Sequence, residues 1–175
     1  MRKITFAGML IATALSPISA YAVDGTINFT GTILNVACTV DPGSATQTVS
    51  LGTVNKAEFV NAGDAVSSGP ITITVGDCDP AVTRVAVRFD GPLAEGNTDL
   101  LGLTPGGAVG VGIGIYEADG STLVPLGTKS VGITAPATGA TADMNFVAKY
   151  VATAANAGIT AGVANAVATF TLDYN

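Results

Sequence analysis

The sequence predicts an all-β protein, an antiparallel sandwich of short strands. Three observations carry this. Apolar and polar residues alternate with period 2 in stretch after stretch, as in Ile71-Thr72-Ile73-Thr74-Val75. Turn clusters such as Asp41-Pro42-Gly43, Asp90-Gly91-Pro92 and Asp119-Gly120 fall between them. No stretch shows a capped 3.6-residue period. Short strands separated by turn residues favour a sandwich over a parallel α/β sheet.

The first segment reads as an address, not as part of the fold. Arg2 and Lys3 precede an apolar run from Ile4 to Leu15, and the small-residue pattern Ala20-Tyr21-Ala22 follows. That is the layout of a secretory signal peptide, residues 1–22. The apolar run is shorter than the roughly 20 residues of a spanning helix. Cleavage after Ala22 removes 22 of the 175 residues, leaves 153, and makes Val23 the first. It also removes two cations, which takes the formal charge from −6 to −8.

The remaining elements follow in order. Thr26–Thr30 alternates, Thr32–Val36 is rich in β-branched residues, and Val49 and Leu51 alternate up to Gly52. After Ile71–Val75, the run Val82–Phe89 sets Val85, Val87 and Phe89 against Arg84 and Arg88 on the other face. Val109–Ile115 alternates aliphatic residues with glycine. Phe146, Ala148 and Tyr150 share one side of the next strand, and the last is expected over Val163–Tyr174. Ala154–Ala161 reads as a loop because of Gly158 and its flanking threonines.

Composition narrows the function. The chain has no His, which removes the commonest general base and metal ligand, and with it a Ser–His–Asp triad. Its acidic balance argues against nucleic acid, which selects basic faces. Gly110, Gly112 and Gly114 lie two apart, not in a G-x-G-x-x-G pattern, and read as a bare strand face for close packing. Asp77 and Asp79 flank Cys78 without the 12-residue oxygen-rich loop of a calcium site, and read as turn caps. Glu117 and Asp119 read as hairpin residues in the same way. No catalytic residue, metal site or cofactor is assigned. Cys38 and Cys78 are the only cysteines, and in an exported chain they are expected to form a structural disulfide.

The two ends are the most informative. Val23, Gly25, Ile27, Phe29 and Gly31 fall on one face of an N-terminal segment. Periodicity alone makes that segment a strand of the domain's own sheet. At the other end, Ala164, Ala166, Ala168, Phe170, Leu172 and Tyr174 share a face with no polar tail to cover it. Such a strand at a sheet edge needs a partner.

With these stretches the sequence resembles the type 1-like fimbrial major subunits, pilins of the chaperone–usher pathway of Gram-negative bacteria. The resemblance lies in Gly25–Gly31 followed by Cys38, in Asp77-Cys78-Asp79, in Asn145–Tyr150 and in Ala161–Tyr174, in that order. It implies an incomplete immunoglobulin-like sandwich over residues 32–175, completed by a donor strand. It reverses the reading of residues 23–31, which become a donor-strand extension for the next subunit. Gly25 matches the family's donor-strand glycine, and Val23 the outermost pocket position. The implied partners are neighbouring pilin subunits, a periplasmic chaperone that first lends a strand, and an outer-membrane usher. Phe170, Leu172 and Tyr174 would border the groove and pair with the chaperone, whose basic residues would hold the carboxylate on Asn175. The implied location is the fimbria at the cell surface, reached through the periplasm. A minor pilus subunit or a secreted sugar-binding module of the same fold is the alternative, and a small secreted hydrolase would need a His-free site.

Overall fold

A computed structural model describes residues 25–31, 33 and 37–175. The expected signal peptide, Val23 and most of the expected strand Thr32–Val36 lie outside the described residues. Two units are distinguished, ending and beginning at Ile33 and Leu34. In the first, residues 25–31 belong to no strand, and Ile27 and Phe29 are 80% and 90% exposed.

The second unit is a β-sandwich. Its described residues form β1 (Thr39–Val40), β2 (Ala65–Gly76), β3 (Arg84–Asp90), β4 (Leu93–Ala94), β5 (Asn97–Gly102), β6 (Val111–Glu117), β7 (Ile133–Thr134), β8 (Thr141–Ala152) and β9 (Thr169–Tyr174). One sheet has the order β1-β2-β8-β6-β5-β4, the other β7-β3-β9. Every pairing is antiparallel. The two 12-residue strands β2 and β8 run side by side, with Ile71 opposite Phe146 and Ile73 opposite Met144.

Period 2 explains the core. Ile73 and Val75 from the large sheet and Val85 and Val87 from the small one are fully buried, whereas Thr72 and Arg84, on the opposite faces of their strands, are exposed. Phe89 and Phe146 meet edge to face across the sandwich, with ring centroids 5.1 Å apart. Each such side chain contributes about 1.5–3 kcal/mol on burial. Cys38 and Cys78 are joined, as expected, and tie the start of β1 to the end of β2.

The glycines of β6 behave as a bare face. A Cβ on Gly112 would lie 2.9 Å from Ala94 Cβ and 3.1 Å from Leu100 Cβ. One on Gly114 would lie 2.8 Å from the Tyr116 ring. The space is therefore used by a small second cluster of Ala94, Leu100 and Val151, on which Tyr116 and Leu123 pack. Lys149 Nζ sits 5.1 Å from the centre of the Tyr116 ring and donates to the Gly120 carbonyl.

Some expectations fail locally, for definable reasons. β6 begins two residues later than expected, because Gly110 takes a φ of +78° and turns the chain. β5 was not anticipated: Leu100, Leu101 and Gly102 are all buried, so nothing alternates. Val49 and Leu51 form no strand, although both pack on the core. The last strand starts at Thr169, not Val163, because Asn165 and Val163 give their carbonyls to Thr104 and Ala108 of a loop. The Asp41-Pro42-Gly43 turn continues as one helical turn, Pro42–Ala45, with Asp41 Oδ1 accepting from the Gly43 amide. Asn156–Gly158 forms a single 3-10 turn inside the expected loop.

Candidate functional site: an open groove

Where the expected strands fail, a groove opens. It has a volume of about 930 Å³. One wall is the chain from Ser44 to Thr53, and the other is Ala164–Phe170, leading into β9. The floor is apolar: Ile71 and Ile73 of β2, Ile113 and Ile115 of β6, Ala148 and Tyr150 of β8, with Phe89 and Leu101.

Both walls carry spare backbone groups. Among the described residues, Thr48, Val49 and Ser50 on one side and Ala166, Val167 and Ala168 on the other make no backbone hydrogen bonds. Among the described residues β9 ends its sheet and pairs with β3 alone, from Asp90↔Thr169 to Val85↔Tyr174. A floor of aliphatic side chains between two unladdered backbones is the imprint of a missing strand. Chemically the groove offers hydrophobic burial and main-chain hydrogen bonds.

The expected site residues fall out as follows. Phe170 lines the groove, half-buried. Leu172 and Tyr174 lie beyond the lining and pack partly buried against the core. Burial pushes the Tyr174 phenol above its ordinary pKa, against a hydrogen bond with the Cys38 backbone that lowers it. The main-chain oxygen of Asn175 accepts from the Thr83 amide at 2.8 Å, the Thr83 hydroxyl at 2.9 Å and the Arg84 amide at 3.2 Å. Gly25, Ile27, Phe29 and Gly31 are all exposed. The Ser44–Thr53 wall was missed by sequence reasoning; the short Val49–Leu51 alternation was its only signal.

The carboxylates serve the loops. Asp79 Oδ1 accepts from the Ala81 amide at 2.8 Å, and Asp77 Oδ1 from the Gly139 amide at 2.9 Å. Asp119 accepts from the Thr122 hydroxyl and from the Thr122 and Ser121 amides, which hold its carboxyl far below the ordinary range. Glu117 Oε1 accepts from the Val131 amide at 2.7 Å. Asp77, Asp79 and Asp119 are placed as turn or loop residues, whereas Glu117, expected in a hairpin turn, is the last residue of β6.

Fold and groove together define a class: a β-sandwich short of one strand, of the kind found in pilus subunits. The fimbrial protein family matches residues 27–175, and the chain belongs to it. It is 39% identical over 173 residues to the type-1 fimbrial protein A chain of Salmonella typhi, covering 96% of this chain and 91% of that one. It is 40% identical over 181 residues to the long polar fimbria protein A of Salmonella typhimurium, covering 99% and 97%. Among solved structures, the P pilus rod subunit PapA superposes with a TM-score of 0.66 at 24% identity, over 80% of this chain and all of that one. A type I fimbria protein of Burkholderia pseudomallei gives 0.60 at 30% identity, over 81% and 91%. The protein is a structural subunit of a surface fimbria, and no helix among the described residues is long and apolar enough to cross a membrane.

Proposed function

We propose that the groove receives an extended strand from a neighbouring copy, and that residues 23–31 supply it. Main-chain hydrogen bonds to a sheet edge, with alternate side chains in pockets, are the general mode of strand addition, for which pilin complementation is a standard example. The observation that carries the reading is the match between the two. The described part of that segment, Gly25–Gly31, and the wall Ala164–Phe170 each span seven residues, about 23 Å of extended chain at the rise of a strand. Ile27 and Phe29 are exposed apolar side chains on one face, and the floor is apolar. Seating them contributes about 1.5–3 kcal/mol each.

The remaining steps of the proposal are suggested by the likeness to fimbrial subunits. Residues 1–22 direct export into the periplasm and are cleaved. A periplasmic chaperone occupies the groove and pairs with the free edge of β9 near Leu172 and Tyr174, with basic residues on the Asn175 carboxylate. An outer-membrane usher exchanges that strand for the extension of the next subunit. The test is deletion of residues 23–30 with the chaperone co-expressed. The chaperone complex is expected to form while multimers vanish from an unboiled denaturing gel; normal fibres from the deletion would overturn the reading.

A further inference from the structure

The wall Ser44–Thr53 is held to β2 by side chains and not by a ladder. Just before it the last backbone bond runs from the Asp41 amide to the Thr74 carbonyl at 2.9 Å, and at its start the Thr74 amide donates to Ser44 Oγ at 2.9 Å. Next, Gln47 Nε2 donates to the Thr72 carbonyl at 3.2 Å. These bonds show that residues 72 and 74 turn their backbone groups toward the wall. The next residue in that phase is Pro70, which has no N–H to give. A continuous ladder is thereby blocked where the wall passes Val49 and Ser50.

The far end of the wall is fastened differently. β2 has a bulge between Val66 and Gly69, and Ser67 within it takes a φ of +59°. That is a left-handed conformation uncommon outside glycine, and it is often found where structure serves function. In this pose the Ser67 hydroxyl donates to the Leu51 carbonyl. Two residues on, Gly69 is buried beneath the wall: a Cβ there would lie 2.6 Å from Val49 Cγ1, 3.0 Å from the Ser50 carbonyl oxygen and 3.1 Å from Leu51 Cδ2.

We infer that the Ser67–Gly69 bulge is a positioning device for strand acceptance: Ser67 clips the groove wall at Leu51, and Gly69 gives it the room to lie there. Neither residue lines the groove, so both act through the wall. The clip fixes the distance between the two backbones that an incoming strand must bridge. This inference rests on the strand-accepting reading of the groove.

The experiment uses full-length chain, refolded with its disulfide closed, and a fluorescent peptide with the sequence of residues 23–33. Peptide uptake and release are followed by anisotropy, and the fold of each variant by far-UV circular dichroism. Ser67→Gly removes the hydroxyl while easing the backbone, so a residue with only a structural role would leave release unchanged or slower. The expected result is release at least tenfold faster, with an unchanged spectrum. Gly69→Ala leaves the hydroxyl but displaces the wall, and is expected to reduce peptide affinity at least tenfold. Wild-type kinetics in both variants would overturn the inference while leaving the groove reading standing. Wild-type chain that is shown to be monomeric before the peptide is added, so that no neighbouring copy fills the groove, and that still takes up no peptide would overturn both.

Discussion

Two stretches of this chain carry the same pattern and meet different fates. Ile71-Thr72-Ile73-Thr74-Val75 and Thr26-Ile27-Asn28-Phe29-Thr30 both alternate without a fault. In the first, Ile73 and Val75 are fully buried and β8 supplies a ladder along the whole length. In the second, Ile27 and Phe29 are 80% and 90% exposed. Period 2 states that a segment has one face to bury; it does not state which chain will bury it. A stretch whose apolar face stays in water is, on the proposed reading, a strand awaiting a partner, and the open groove is apolar as that partner would need to be.

The sharpest way to break this comparison is to make one substitution in both stretches. Ile73→Asp places an unpaired carboxylate in the core, and is expected to cost more than about 4 kcal/mol and to prevent folding. Ile27→Asp is expected to leave the chain's thermal melt unchanged. It should instead weaken each joint by about 1.5–3 kcal/mol, so that multimers dissociate roughly ten- to a hundredfold faster in denaturant. Equal damage to the melt from both would show that the two stretches do not differ as described.

An effect below that of Ile73→Asp is expected at the junction between them. Replacing Cys38 and Cys78 with Ser opens a loop of 40 residues, worth roughly 4 kcal/mol on the chain-entropy account. The melting temperature should fall accordingly, while surviving multimers keep their resistance to denaturant.

The smallest effect is one of pH. Hydrogen bonds from Thr122 and Ser121 hold the Asp119 carboxyl below its ordinary value, and the Asn61 and Val60 amides do the same for Asp64. A depressed folded-state pKa stabilises the fold above the unfolded value, near pH 4, and that contribution is lost as pH falls further. Asp119→Asn should therefore flatten the acid limb of a stability–pH curve by lowering its neutral side slightly while leaving the acid side in place, a small loss because the group is exposed.

Much of the fold was legible because sandwich strands obey one rule. Val85, Val87 and Phe89, and likewise Phe146, Ala148 and Tyr150, were assigned to the faces they occupy because one side of each strand is buried. β5 was not legible, since Leu100 serves the outer cluster and Leu101 the groove floor, and a strand buried on both faces has no alternation to read. The groove was the least legible feature. Its walls come from residues more than a hundred positions apart, and the reason one wall is no strand lies in Pro70 of its neighbour.

The Cys38–Cys78 bridge also has a mechanical meaning. If residues 23–31 are held by a neighbouring copy as proposed, a pull on them is passed along the chain toward β1, a strand of two residues paired, among the described residues, with Val75 and Gly76. Loaded alone, so short a pair would peel open. The bridge passes the force across Cys38 to the residue two beyond the end of β2, and so into the 12-residue β2–β8 pair at the heart of the large sheet. Tension entering there would be shared by the long β2–β8 ladder, and the two-residue β1 would be spared it.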